Sequence, residues 1–246
     1  MPEHNKKNIP ATHETISEAG EDVCRMFDEI APHYDFLNHF LSMGIDRCWR
    51  KKVIKAARNH HPQTLLDVAA GTADLTIALA TLPGISITGI DISEAMLAEG
   101  RKKVNQRQPD KNIILLQGDS ENLPFADATF DMVTVAFGVR NFEHLEKGLA
   151  EMLRVLKKGG QLLVLEFSMP EKTLFKQLYH LYFKYFVPFI GAKISGHRFA
   201  YSYLPATVQK FPKNDTFVNI LRQIGFTNAA FKPLTFGIVC LYSAEK

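Results

Sequence analysis

Residues 64–91 read TLLDVAAGTADLTIALATLPGISITGID. Residues 64–69 are a short apolar run leading to Gly71, the pattern of a buried strand entering a turn. Residues 74–82 carry helical apolar spacing and stop at Pro83-Gly84, and residues 85–90 form a second strand closed by Asp91. A strand, a turn, a helix and a strand in that order make a βαβ unit, because parallel neighbours need a crossover.

The same rhythm continues outward. Ser93 stands at a helix N-cap before residues 94–108, and Pro109 stops that helix. Residues 112–117 (NIILLQ) give a third strand, residues 118–128 a polar loop and residues 130–137 (FDMVTVAF) a fourth strand. Residues 143–157 are amphipathic, and Lys158-Gly159-Gly160 supplies the glycine expected just past a helix. Residues 161–167 (QLLVLEF) are a fifth strand. Strands apolar on both faces and joined by helices predict a parallel sheet covered on two sides.

The chain end departs from this pattern. Residues 217–224 read as a helix, 226–232 as a strand, Pro233-Leu234 as a turn and 235–242 as the last strand. So short a link makes the final pair antiparallel. The expected fold is α/β and Rossmann-like, a seven-stranded, mostly parallel sheet finished by an antiparallel hairpin. Residues 18–60 read as helices packed on the sheet, residues 168–212 as an inserted substrate lid and residues 1–20 as a disordered terminus. Residues 21–246 then form a single domain.

Composition limits the function. The 246 residues are 46% hydrophobic and 22% charged, ordinary globular material. Lys+Arg 29 against Asp+Glu 26 leaves a net charge of +3, too balanced to argue for a nucleic-acid partner. Cys24, Cys48 and Cys240 form no C-x-x-C pair, which argues against a zinc knuckle or disulfide framework and suits a reducing compartment. The N-terminus lacks the apolar core of a secretory signal, and no apolar run reaches the ~18 residues of a membrane span. The expectation is a cytoplasmic protein without a metal, with peripheral membrane contact and self-association both open.

The turn after the first strand locates a ligand site. Small residues around Gly71 let the backbone approach a ligand, and Asp91 follows at the distance where an acid meets ribose hydroxyls. The turn lacks the G-x-G-x-x-G glycines that fit a pyrophosphate, which disfavours an NAD-dependent dehydrogenase. Asp119 in Gly118-Asp119-Ser120 follows the third strand, placed to accept from an adenine amino group. An acid for a ribose, an acid for an adenine and no phosphate cradle suit S-adenosylmethionine, with Asp67 orienting its amino group directly or through water.

After the fourth strand stands AFGVRNF (136–142), unlike the Asn/Asp-Pro-Pro-aromatic stretch of enzymes that methylate base amino groups. Arg140 and Asn141 would present a cation and an amide beside the reacting methyl. The inserted segment crowds Tyr182, Phe186, Tyr201, Tyr203 and other aromatics among Lys172, Lys176, Lys184, Lys193 and Arg198. That mixture suits an apolar ligand near anionic headgroups.

Residues 34–49 (YDFLNHFLSMGIDRCW) closely resemble the first signature of the ubiquinone/menaquinone biosynthesis C-methyltransferase family, and residues 154–160 (RVLKKGG) resemble its second. The FGVRN stretch at 137–141 and YSYLP at 201–205 also match. The resemblance implies a class I methyltransferase fold, S-adenosyl-L-methionine as donor and a polyprenylated quinol as acceptor. It carries over Thr72, Asp91, Asp119 and Ser120 as donor-binding residues, alongside Asp67 and Gly71 from the turn itself. The chain departs from the family pattern at Asp46, usually His, at Ala70 and Ala73 of the usual Gly-Gly-Thr-Gly turn, and at Ala136, where a serine is usual.

A quinol carbon becomes nucleophilic when its hydroxyl ionises, and a phenol pKa lies near ~10. Arg140 would stabilise the phenolate, with Asn141 and the Tyr34 hydroxyl orienting the ring or a proton-accepting water. His33 and His197 are the candidate bases, and Tyr182, Phe186, His197, Tyr201 and Tyr203 the candidate acceptor contacts. The leading expectation is C-methylation of a demethylmenaquinol, with Asp46 as the cue. The equivalent step on a methoxy-polyprenyl-benzoquinol and a non-catalytic quinone-binding protein are the other readings.

Overall fold

The computed structural model describes residues 18–108, 110–170, 203 and 206–246. One seven-stranded sheet runs in the order β3-β2-β1-β4-β5-β7-β6. Its strands are β1 (Thr64–Val68), β2 (Ser86–Asp91), β3 (Ile113–Gln117), β4 (Phe130–Ala136), β5 (Leu156–Phe167), β6 (Thr227–Leu234) and β7 (Val239–Glu245). The first five are mutually parallel, and β7 inserts antiparallel between β5 and β6. Helices wholly within the described residues include α1 (Glu18–Leu41), α2 (Asp46–Arg58), α3 (Asp74–Leu79), α4 (Glu94–Arg107), α5 (Leu145–Val155) and α6 (Asp215–Ile224).

The central strand explains the layering. Leu65 faces Trp49 and Val53 of α2 and Leu75 and Leu79 of α3. Its neighbours Leu66 and Val68 belong to the other layer, with Leu149 and Met152 of α5 and Leu221 of α6. Successive side chains of a strand point to opposite faces, so both must be apolar when both faces are covered. The chain order reverses beside β1, whose neighbours are β2 and β4. That reversal opens a crevice at the carboxyl ends of β1 and β4.

Three local expectations need correction. First, α1 packs on α4 rather than on the sheet: Ile30 and Ala31 lie against Met96, while α2 does cover the sheet. Second, Gly159-Gly160 does not end α5, because β5 begins at Leu156 directly after the helix. The β4–β5 register jumps from Phe130↔Leu156 to Met132↔Gln161, so residues 157–160 bulge opposite Asp131. Gly159 has φ 75°, and a Cβ on Gly160 would lie 2.7 Å from the Lys157 carbonyl. Third, the hairpin turn is not Pro233-Leu234, since both residues pair within β6, with Cys240 and Val239. Proline is tolerated there because β6 is an edge strand. The chain reverses instead at Thr235, Phe236 and Gly237, all at positive φ.

Of the expected lid, Tyr182, Phe186, His197 and Tyr201 lie outside the described residues, as do residues 1–17 and Pro109. Among the described residues, no helix is long and apolar enough to cross a membrane.

Candidate active site

The site is built from strand ends. Asp91, the last residue of β2, accepts hydrogen bonds from the Gly71 amide at 2.7 Å and the Ser93 amide at 2.9 Å. Ser93 is itself the cap of α4, its hydroxyl accepting from the Met96 amide. Gly71 has φ 54°, and a Cβ there would meet nothing within 4 Å, so this backbone borders open space. Gly138 is fixed by crowding instead, because a Cβ would sit 2.4 Å from that of Ala69. Ala69, Ala73 and Phe137 adopt φ of 53°, 63° and 60°, a conformation L-residues rarely take. Such strain at the ends of β1 and β4 is typical of positions that hold ligands. Ala73 thus keeps the left-handed bend where the family turn has glycine.

These ends enclose a cavity of about 230 Å³. Ala69, Gly71 and Asp91 line it from β1 and β2, and Gly118, Asp119, Ser120 and Glu121 from the loop after β3. Phe137, Gly138 and Asn141 come from the end of β4, and Val23, Phe27 and Tyr34 from α1. Asp119 Oδ1 accepts from the Glu121 amide at 2.8 Å, which shapes that loop. Burial pushes the Asp91 carboxyl up to about 6, against the hydrogen bonds from Ser93 and Gly71.

Of the expected donor contacts, Gly71, Asp91, Asp119 and Ser120 come together on this lining, and Asp67 and Thr72 do not. Asp67 is buried within β1, its two oxygens accepting from Thr134 and Thr76 hydroxyls at 2.6 Å each. Burial raises it too, to about 6. Thr72 donates its hydroxyl to Asp35 of α1. Asp35 and Asp74 share the Lys103 ammonium at 2.6 and 2.7 Å, which ties α1, α3 and α4 together.

The network continues to Asp46. Its carboxylate takes hydrogen bonds from Ser42, from Arg50 and from His39 at 2.7 Å, and Arg50 also reaches Asp74 at 3.3 Å. Burial alone would raise Asp46, but the Ser42 hydrogen bond and the Arg50 charge outweigh it and hold the carboxyl below its usual range. His39, Asp46 and Asp74 are metal-ligating residue types brought together, yet Arg50 and Lys103 already neutralise the carboxylates. Asp46 therefore fastens helices and does not touch the cavity lining.

Arg140 is absent from the lining, beside Asn141 which belongs to it. Its guanidinium is 7% exposed, pairs with the fully buried Glu166 at 2.9 Å and lies 5.5 Å from the centre of the Phe167 ring. It also donates to the Phe137 carbonyl. The charge is thus compensated rather than free, and what remains is a buried Nε donor without a partner among the described residues. Next to it, Asn141 lines the cavity with an equally unpartnered buried Oδ1. Tyr34 and Tyr203 both feel the Arg140 charge. Burial nevertheless lifts both phenols above the usual tyrosine range, so they stay protonated at neutral pH. His33 is exposed and absent from the lining, so it is not placed as a base; His197 lies outside the described residues.

Sequence reading missed Glu166, although a lone acid inside the apolar run QLLVLEF signals a buried partner. It also missed Val23 and Phe27, and His144, whose Nδ1 lies 2.9 Å from Glu121 on the cavity lining. Nothing local in those stretches marks them.

The lining holds Asp91, Asp119, Glu121 and Glu143 against Lys147 and His144. A set with so many acids, with an unpartnered acceptor at Asn141, fits a cationic nucleoside and repels a pyrophosphate. Fold and cavity are those of a class I S-adenosyl-L-methionine-dependent methyltransferase. A SAM-dependent methyltransferase from Thermotoga maritima shares the fold, with TM-score 0.60 and 20% identity over 90% of this chain and 99% of that one. Residues 14–246 match the ubiE/COQ5 methyltransferase family, and the chain belongs to it. The demethylmenaquinone methyltransferase of Bacteroides fragilis is 47% identical over 227 residues, 92% of this chain and 93% of that protein. The ubiquinone/menaquinone biosynthesis C-methyltransferase UbiE of Geobacter sulfurreducens is 43% identical over 242 residues, 98% and 94% of the two. The protein is a SAM-dependent C-methyltransferase of quinone biosynthesis.

Proposed function

We propose that the acceptor is a polyprenylated demethylmenaquinol, methylated on a ring carbon to the menaquinol. Support comes from the relative in Bacteroides fragilis, named for that reaction, at 47% identity across nearly the whole chain. The carrying observation is the pair of buried atoms without a partner among the described residues, Asn141 Oδ1 on the lining and Arg140 Nε beside it. A buried polar atom left unpaired costs about 1–3 kcal/mol, so a ligand that pairs it is favoured. A ring bearing one ionised and one protonated oxygen would satisfy the donor and the acceptor together.

S-adenosyl-L-methionine supplies, when bound, an electrophilic methyl on positively charged sulfur. Asp91 and Asp119 would hold its ribose and adenine, with Gly71 and Ser120 giving backbone approach and polar contact. Arg140, locked by Glu166 next to the lining residue Asn141, would place its charge near the phenolate and lower the cost of ionising it. Asn141 and Tyr34 orient the ring, Tyr34 as a neutral phenol. The hydroxyl proton passes to water. Phe27, Phe137 and Phe142 keep the site poor in water, which favours the union of opposite charges in the transfer step.

The test is methyl transfer from labelled donor to reduced demethylmenaquinol and to 2-methoxy-6-polyprenyl-1,4-benzoquinol in parallel. Label in the naphthoquinol is expected. Label in the benzoquinol alone assigns the protein to ubiquinone synthesis, and label in neither quinol, with the donor still bound, makes it a binding protein.

A further inference from the structure

The end of α1 and the exposed stripe of α2, joined by a short turn, carry side chains that methyl transfer does not use. Phe36, Phe40 and Met43 are 56%, 43% and 75% exposed, an unusual cluster of large apolar side chains. The two rings stack with centroids 5.8 Å apart at 17°. They stand one turn apart on α1, and Met43 follows in the turn that leads to α2.

Beyond that turn, α2 exposes Arg47, Lys51, Lys52, Lys55 and Arg58. Its single acid, Asp46, is buried. Arg47, Lys51, Lys55 and Arg58 recur at helical spacing along one stripe. The opposite stripe, Trp49, Val53 and Ala57, is seated in the core, so the cations are held on a fixed face. An acidic peptide or a nucleic acid would use the cations and leave the aromatic tip idle. A second copy of this chain would bring like charges together. An anionic lipid surface uses both parts, with aromatic side chains at the acyl boundary and cations among headgroups.

We propose that the corner formed by the end of α1 and the outer face of α2 docks on an anionic phospholipid bilayer. α1 thus carries both these exposed rings and Tyr34 of the cavity lining, on different faces of the helix. The proposal stands apart from the choice of quinol, because it is read without turnover.

The experiment is flotation of the full chain with vesicles of phosphatidylcholine alone and with a third phosphatidylglycerol. Binding to the anionic vesicles, weakened by salt, is expected. Each cation near such a surface contributes roughly five-fold, so Lys51→Ala with Lys55→Ala lowers partitioning about twenty-five-fold. Phe36→Ser with Phe40→Ser lowers it at least about ten-fold, since these exposed rings supply the apolar contact. Donor affinity by calorimetry checks that both variants are folded. The proposal is overturned if anionic vesicles are not bound, or if both variants bind as the parent does while substitutions at Lys172 and Lys176 abolish binding. It is equally overturned if the phenylalanine variant changes the oligomeric state in sedimentation velocity and leaves vesicle binding untouched.

Discussion

The two walls of the cavity are made of different materials. The donor wall is backbone: the Gly71 amide on Asp91, the Asp91-bound Ser93, and left-handed residues at the ends of β1 and β4. The wall of α1 and Asn141 is fixed by charges that lie off the lining: Arg140 on Glu166, and Asp35 and Asp74 on Lys103. Backbone geometry is local and tolerates changes of charge. A wall held by ion pairs depends on partners far apart in the chain, and removing one partner strands the other.

Substitutions should therefore separate the walls. Glu166→Ala leaves Arg140 buried without a counter-charge, and is expected to cost about 3–5 kcal/mol in urea unfolding. Its turnover should collapse while donor affinity by calorimetry stays near the parent value; parallel losses would break the distinction.

A pH experiment probes β1, the strand that leads into the donor wall. The folded Asp67 carboxyl lies at about 6 against 3.8 in the open chain, so its stabilising protonation is complete below pH 3.8 and lost as pH rises through 6. That loss is on the order of 3 kcal/mol. Asp67→Asn should remove this share of the slope across that range, with the share of Asp91 remaining. An unchanged slope would mean that Thr76 and Thr134 stabilise the carboxylate more than burial opposes it.

Gly138→Ala forces a methyl against Ala69 where β1 and β4 meet. A stability loss of about 1–3 kcal/mol is expected, with donor affinity roughly ten-fold weaker. Ala73→Gly is the gentlest probe, relieving a φ of 63° at the cost of chain entropy and a buried methyl. Its melting temperature should match the parent within the equivalent of about 1 kcal/mol. A larger gain would show that the turn stores more strain than its angles suggest.

The same contrast decides what could be read from sequence. Asp91, the Ser93 cap and the strand–turn–helix around Gly71 are set by neighbours in the chain, and each is visible as a residue type at a fixed spacing. Gly159-Gly160 was misplaced because its bulge answers Asp131 on another strand. Pro233-Leu234 has the sequence of a turn because nothing nearby tells that β6 is an edge. Asp67 looked like a ligand contact, an acid beside the turn, until Thr76 and Thr134 closed on it from two other elements. Arg140 stood out by its motif, and its pairing with Glu166 did not.

The seat of α1 carries a consequence for biosynthesis. Ile30 and Ala31 need Met96, and Asp35 needs Lys103, yet both partners belong to α4, which leaves the ribosome much later. The first helix must therefore wait, greasy side uncovered, while the first two of the seven strands are translated. A nascent chain stalled before α4 would be the species that chaperones meet.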